Sequence, residues 1–271
     1  MLSMEEILKK EVVYKIDNME NVNMLKDLAY KTIEKRELLM DIYSPFSKEQ
    51  KEKLPVVVLV HGEAKSMNNF KDIGQYKSLG RLIAASGLNA VTFNHRTLVD
   101  GFTIKEINSD IDNLINYLVK NAEKLNIDQD RIAIWCISGG VPFGLYAGMR
   151  SYSDYVKCII AYYGFGDFRY VGQVIDINIL DEEIEKYSPI NLINENSNKI
   201  PPLFIARAGL DNPIINESLD KFITKALINN LTIDIYNHST GIHSFDLFND
   251  NDRTYEIIAK SLKFLKKHLK K

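Results

Sequence analysis

The stretch LPVVVLVHG, residues 54–62, restricts the possible folds more than any other part of the chain. Valine and leucine fill it without the apolar–polar alternation of a strand that has one wet face. Such a strand has no side to give to water, so it belongs in a sheet covered on both faces. Further short apolar runs recur at LNAVTFNHR (88–96), RIAIWCI (131–137), VKCIIAYYG (156–164), PPLFIARAG (201–209) and LTIDIYN (231–237). Between them lie stretches with helical spacing. YKSLGRLIAASG (76–87) ends at Gly87, a C-cap residue. The stretch 104–125 carries Ile107, Ile111, Leu114, Ile115 and Leu118 on one face. GGVPFGLYAGMRS places Pro142 in a first helical turn, where its missing N–H costs little. The segments 216–230 and 253–269 complete the set.

This alternation predicts an α/β fold with a doubly wound, mostly parallel sheet. MLKDLAYKT (24–32) and ELLMDIYSP (37–45) read as an antiparallel pair at one sheet edge. The polar stretch 165–200 has weaker periodicity and reads as a short cap insertion, so residues 1–271 are expected to form a single domain. In such sheets ligands bind beyond the carboxyl ends of the strands.

Charge separates some function classes. The chain has 34 Lys and Arg against 36 Asp and Glu, a net charge of -2, which gives no global attraction to nucleic acid or anionic membrane. The C-terminal KFLKKHLKK is locally basic and reads as the solvated face of a terminal helix, with His268 exposed on it. The N-terminus lacks the apolar core of a signal peptide, and no apolar run approaches the roughly 18 residues of a membrane-spanning helix. Cys136 and Cys158 both lie in apolar strand-like runs, which suits buried thiols in a reducing cytoplasm. A soluble cytoplasmic protein is therefore expected. The sequons at Asn216, Asn230 and Asn237 read as coincidences of an Asn-rich composition.

The candidate chemistry follows the strands. In RIAIWCISGG the strand runs into Ser138, Gly139 and Gly140. A serine hydroxyl is a poor nucleophile unless its backbone exposes it and a base takes its proton. A sharp strand-to-helix turn exposes it, provided the residues two positions either side are small. Gly140 meets that need, and Cys136 stands where such turns usually have glycine. A nucleophilic Cys136 would instead be flanked by branched Ile134, a poor fit, so Ser138 is favoured. A thiol in an apolar strand should also have a raised pKa and low reactivity.

His243, in the loop GIHSF after the last strand, is the expected base. His238 abuts that strand and has less reach, His95 reads as structural, and His61 occupies an oxyanion-loop position. Asp211, in GLDNP after a strand, is the expected orienting carboxylate, although Asp-Asn-Pro is also ordinary turn chemistry. The chain order is Ser, Asp, His. The oxyanion donors are expected to be the backbone N–H of Gly139 and that of Glu63 or Ala64, in HGEAKS. A Glu63 anion aimed at the oxyanion would oppose catalysis.

With these residues in place, the chain resembles the α/β-hydrolase superfamily, in its esterase and dienelactone-hydrolase-like branch. DIYSP, LPVVVLVHG, AASGLNAVTFNHR, DQDRIAIWCISGG, YSPINLI, PPLFIARAGLDN and GIHSF occur in the family's order, from about residue 36 to the C-terminus. The resemblance maps Ser138 to the nucleophile, Asp211 to the acid, His243 to the base and His61–Gly62 to the oxyanion loop. Cys136 departs from the turn's first glycine, HGEA lacks the extra glycines of lipase-like HGGG loops, and Ser138 replaces the cysteine of true dienelactone hydrolases. The implied activity is hydrolysis of a small carboxylic ester, with no cofactor, metal, nucleic-acid or membrane partner. A small peptidase or amidase of the same fold, and a catalytically silent binding protein, are the competing readings.

Overall fold

The computed structural model describes residues 3–46, 52–65, 67, 69–150, 155–194 and 199–270. Among them, one eight-stranded sheet organises the chain. An N-terminal helix, α1 (Met4–Lys9), precedes the edge strands β1 (Val22–Ile33) and β2 (Arg36–Pro45). Then come β3 (Leu54–Val60), α2 (Gly74–Ala85), β4 (Asn89–Phe93), α3 (Ile104–Lys120), the single turn α4 (Ala122–Leu125) and β5 (Ile127–Ile137). The second half holds α5 (Val141–Arg150), β6 (Val156–Tyr162), α6 (Asp181–Tyr187), β7 (Leu203–Ala208) and α7 (Pro213–Ile228). It closes with β8 (Ile233–His238), the turn α8 (Phe245–Phe248) and α9 (Asp252–His268).

The strand order is β1-β2-β4-β3-β5-β6-β7-β8. β1 pairs antiparallel with β2, and β2 antiparallel with β4; every other pair is parallel. The mostly parallel sheet with its antiparallel edge is thus the one the sequence predicts. The valine run explains the two-sided core. Val56, Val58 and Val60 face α3 and α5 together with Ile132, Ile134 and Cys136. Val57 and Leu59 face α2 and α9 together with Ala133, Trp135 and Ile137. Successive side chains of one strand therefore feed opposite cores, and both need apolar residues.

Element boundaries differ from the periodicity at places where polar side chains intervene. The predicted helix 104–125 breaks at Asn121, whose side-chain amide donates to Tyr117 O at 2.8 Å, and Asn126 ends α4 in the left-handed region, with φ 53°. α7 begins at Pro213 because Asn212 caps it, accepting from Ile214 N at 2.9 Å. α1 has no strong hydropathy signal; its start is a capping box made by Ser3 and Glu6. His268, expected exposed, is half-buried with its ring 4.5 Å from that of Phe264. No helix among the described residues is long and apolar enough to cross a membrane.

The stretch between β6 and β7 carries 3-10 turns at Phe168–Gln173 and Pro189–Leu192 around α6. Phe168 and Val171 are buried, and Tyr187 packs edge-on against Tyr146 of α5 at 5.3 Å.

The missing glycine at 136 is compensated across the β5–α5 packing. A Cβ on Gly144 would stand against the Cys136 side chain, only 2.8 Å from Sγ. The small residue has moved from strand to helix, and Cys136 fills the space. Gly144→Ala is therefore expected to cost about 1–3 kcal/mol by overpacking. Combined with Cys136→Gly, the alanine should cost less, and a double-mutant cycle by urea unfolding checks this; additive losses would contradict it.

Candidate active site

β5 ends at Ile137, and the chain turns through a 3-10 segment, Ser138–Gly140, before α5. Ser138 has φ +56°, the left-handed region that costs an L-residue roughly 1–3 kcal/mol unless its surroundings enforce it. Here they do. A Cβ on Gly140 would lie 2.6 Å from the Val60 carbonyl oxygen, and closer still to that of His61. The turn is pressed against the end of β3, and Ser138 is left protruding.

The serine has a partner. Ser138 Oγ lies 2.7 Å from His243 Nε2, and His243 Nδ1 lies 2.7 Å from Asp211 Oδ2. The Asp211 carboxylate can only accept, so Nδ1 carries the ring proton and Nε2 accepts from the serine hydroxyl. The Asp211 side chain is 2% exposed and that of His243 37%, so the carboxylate is shielded while the imidazole edge stays accessible. Backbone hydrogen bonds join the two loops: Gly209 N donates to His238 O at 2.8 Å and Leu210 N to Gly241 O at 2.8 Å.

The other histidines do different work. His238 is buried at the end of β8, with Nε2 3.1 Å from Thr254 Oγ1. His61 is stacked between His95 at 3.5 Å and Phe70 at 3.9 Å. Its Nδ1 lies 2.7 Å from Gly62 O, and its Nε2 accepts from His95 N at 3.1 Å. Burial pushes its pKa well below the ordinary histidine value, so it is a neutral pin for the loop. Cys136 is fully buried, its thiol donates to Ile160 O at 3.2 Å, and burial raises its pKa. A neutral thiol of this kind is inert.

The loop after β3 comes close to the turn. A Cβ on Gly139 would lie 3.0 Å from Glu63 N and 2.6 Å from Glu63 Cγ. A Cβ on Gly62 would lie 3.2 Å from Ser138 Cβ and 3.4 Å from Gly139 N. Gly62 N is itself used, donating to Tyr76 Oη at 2.9 Å. The contacts thus bring Glu63 rather than Ala64 against Gly139. Ser66, the last residue of HGEAKS, lies outside the described residues.

The Glu63 side chain passes over Gly139 towards the turn Leu98–Asp100, where Oε2 accepts from Val99 N at 3.2 Å. Burial, reinforced by nearby Asp100, pushes this carboxyl up to about 8, against the opposing pull of the Val99 and Leu98 amides.

A second polar group supports His243 from below and carries no sequence pattern. Asp246, buried on α8, accepts from Gln75 Nε2 at 2.8 Å and from the Tyr163 hydroxyl. Gln75 Nε2 also lies 2.9 Å from Tyr163 Oη, and the Tyr163 ring meets His243 edge-on at 4.9 Å. The one local hint was an aspartate set within the apolar FDLF, three residues past His243.

A mostly parallel sheet covered by helices, with serine, aspartate and histidine on the loops after β5, β7 and β8, defines an α/β-hydrolase. More narrowly, the chain belongs to the BD-FAE family, a family of α/β-hydrolase-type esterases whose sequence model matches residues 40–226. Among solved structures it is similar to Thermogutta terrifontis esterase 2 phosphorylated by paraoxon, with TM-score 0.72 at 16% identity over 92% of this chain and 95% of that one. It is also similar to a truncated carbohydrate esterase from gut microbiota, with TM-score 0.71 at 18% identity over 90% and 96%. A mutant of the esterase rPPE gives TM-score 0.73 at 14% identity over 95% and 86%. At these identities the likeness is one of fold. No curated protein sequence matches the chain.

The buried group under His243 yields a test. Tyr163→Phe removes the hydroxyl that donates to Asp246 and is expected to lower stability by about 1–3 kcal/mol, read by urea unfolding. An unchanged unfolding midpoint would mean that Gln75 alone satisfies the carboxyl.

Proposed function

We propose that the protein hydrolyses a small carboxylic ester through an acyl-enzyme on Ser138. The unbroken hydrogen-bonded line from Ser138 through His243 to Asp211 carries this reading. As Ser138 Oγ attacks the ester carbonyl carbon, His243 Nε2 takes its proton. Asp211 remains ionised, fixes the tautomer and stabilises the imidazolium. Negative charge develops on the carbonyl oxygen of the tetrahedral intermediate. The N–H of Gly139 and that of Glu63 are the donors we assign to it, with Ala64 as the alternative second donor.

Collapse of the intermediate breaks the bond to the alcohol oxygen, and His243 returns its proton to that oxygen. The acyl group is left on Ser138. Water, deprotonated by His243, then attacks the acyl carbon, and the acid leaves as the serine is regenerated. Membership of an esterase family supports an ester over an amide. So does the neighbouring Thermogutta esterase, which is described as phosphorylated by paraoxon, a chemistry that fits an activated hydroxyl. Glu63 does not argue for a silent protein, because its carboxyl is turned towards Val99. Both free thiols are buried, which fits the reducing cytoplasm in which we place the protein.

A fluorophosphonate probe followed by peptide mass spectrometry is expected to label Ser138, and Ser138→Ala to abolish both labelling and turnover of p-nitrophenyl acetate. Asp211→Asn is expected to lower kcat by about 10³–10⁴-fold through loss of the tautomer, and His243→Ala by at least as much. Aminoacyl p-nitroanilides should turn over far more slowly than esters. Folded protein that takes no label, or that prefers the amides, would refute the ester reading.

A further inference from the structure

Glu63 places a carboxyl beside the amide expected to hold an oxyanion, an arrangement that a charged side chain would spoil. Its stem lies across Gly139, with Cγ 2.6 Å from where a Cβ would stand. One carboxyl oxygen, Oε2, accepts from Val99 N at 3.2 Å. The other, Oε1, is buried and has no hydrogen-bond partner among the described residues. No salt bridge to Glu63 occurs among the described residues. An ionised carboxylate with one oxygen buried and unbonded is disfavoured, and the Val99 and Leu98 amides offset only part of that cost. A carboxylic acid fits the same place, with Oε2 accepting and the proton on Oε1.

We propose that Glu63 is a positioning residue of the ester-cleaving site that works only as the neutral acid, tying the oxyanion loop to the turn Leu98–Asp100 and keeping negative charge away from Gly139. The proposal rests on the reading of Ser138 as nucleophile.

The neighbouring groups pull both ways, and burial outweighs the Val99 and Leu98 amides, which lower the pKa. Asp100, on the turn that receives the carboxyl, raises the Glu63 pKa by repulsion, adding to the effect of burial. His61, two residues earlier on the same loop, and His95 stacked on it are both driven towards the neutral form by burial, so neither supplies a cation. Lys65, further along the loop, is exposed. His243 is hydrogen-bonded to Ser138 and Asp211. The folded pKa is thus raised, to about 8 from 4.5. Below pH 8 the acid is neutral in the fold. Above it an anion appears next to the charge that the transition state develops. The unfolded chain loses this proton near 4.5, so the cost of keeping it on in the fold grows from there and levels off beyond about 8.

The test measures kcat/KM for p-nitrophenyl acetate from pH 6 to pH 10, with Ser138→Ala as the background control, together with melting temperatures. The wild type is expected to lose activity with a midpoint of about 8, about tenfold down by pH 9. Glu63→Gln, which keeps the shape and cannot ionise, should lose the alkaline decline, its kcat/KM at pH 9 staying within about threefold of its own value at pH 7. Asp100→Asn should move that decline to lower pH, which a purely structural role would not do. The melting temperature of Glu63→Gln relative to wild type should rise between pH 5 and pH 8 and then level off.

An active wild type whose profile stays flat to pH 10 overturns the proposal alone. So does a Glu63→Gln enzyme with the same alkaline decline, or a melting difference that ignores pH. A wild type without esterase turnover overturns the ester reading and, with it, the role given to Glu63.

Discussion

Three chain segments meet at the turn after β5, and their crowding sets the conformation on which the site depends. The carbonyl ends of β3 press against Gly140, while the carbonyl of Ser138 is pressed in turn by Gly164 at the end of β6. Side chains at either glycine would drive these strand ends apart. Ser138 takes up the remaining freedom with φ +56°, and the strain is held by contacts that belong to the central sheet rather than to a mobile loop. The residue that protrudes from such a turn is rigid before any substrate arrives. Preorganisation of this kind is what an acyl-transfer site needs.

The electrostatics around that turn are equally constrained. Burial drives His61 and His95 to the neutral imidazole, holds the Cys136 thiol protonated and raises the Glu63 carboxyl. Each of these groups could have carried a charge, and each is placed where water cannot stabilise one. The hydrogen-bonded His243–Asp211 pair is different, because its imidazole is partly solvated and its carboxylate has donors on both oxygens. The hydrogen-bonded line of Ser138, His243 and Asp211 thus lies among groups held neutral, the setting that the proton transfer we propose would need.

Much of this was legible in the sequence because it depends on local pattern. Unbroken valines specify a strand covered on both sides, and glycines after Ser138 specify a tight turn. The order of the three loops follows from the order of the strands. What stayed hidden depends on contacts between residues far apart in the chain. Gly144 offsets Cys136 only because α5 packs on β5, and nothing at either position announces the other. Asp246 is explained by Gln75 on α2 and Tyr163 beyond β6, a grouping that no periodicity reveals. The direction of the Glu63 side chain is set by the Val99 amide, on a turn with no readable signature.

These hidden contacts also show why the geometry of Ser138, His243 and Asp211 should depend on parts of the chain far from them. His243 sits on a loop with its own local bonds, Gly241 N to His238 O at 2.9 Å and Ile242 N to Asn249 Oδ1 at 3.1 Å. Distant segments add to them. Gly209 and Leu210 bind the loop to the Asp211 side, and Asp246 anchors it to Gln75 and Tyr163. Val13 of the N-terminal arm donates to the Asp246 carbonyl at 2.8 Å, while Val12 donates to Ser78 of α2 at 3.0 Å. The arm, α2 and the histidine loop therefore form one packed unit. Displacing the arm would loosen the imidazole, and the proton transfer we propose from Ser138 to His243, across 2.7 Å, tolerates little displacement.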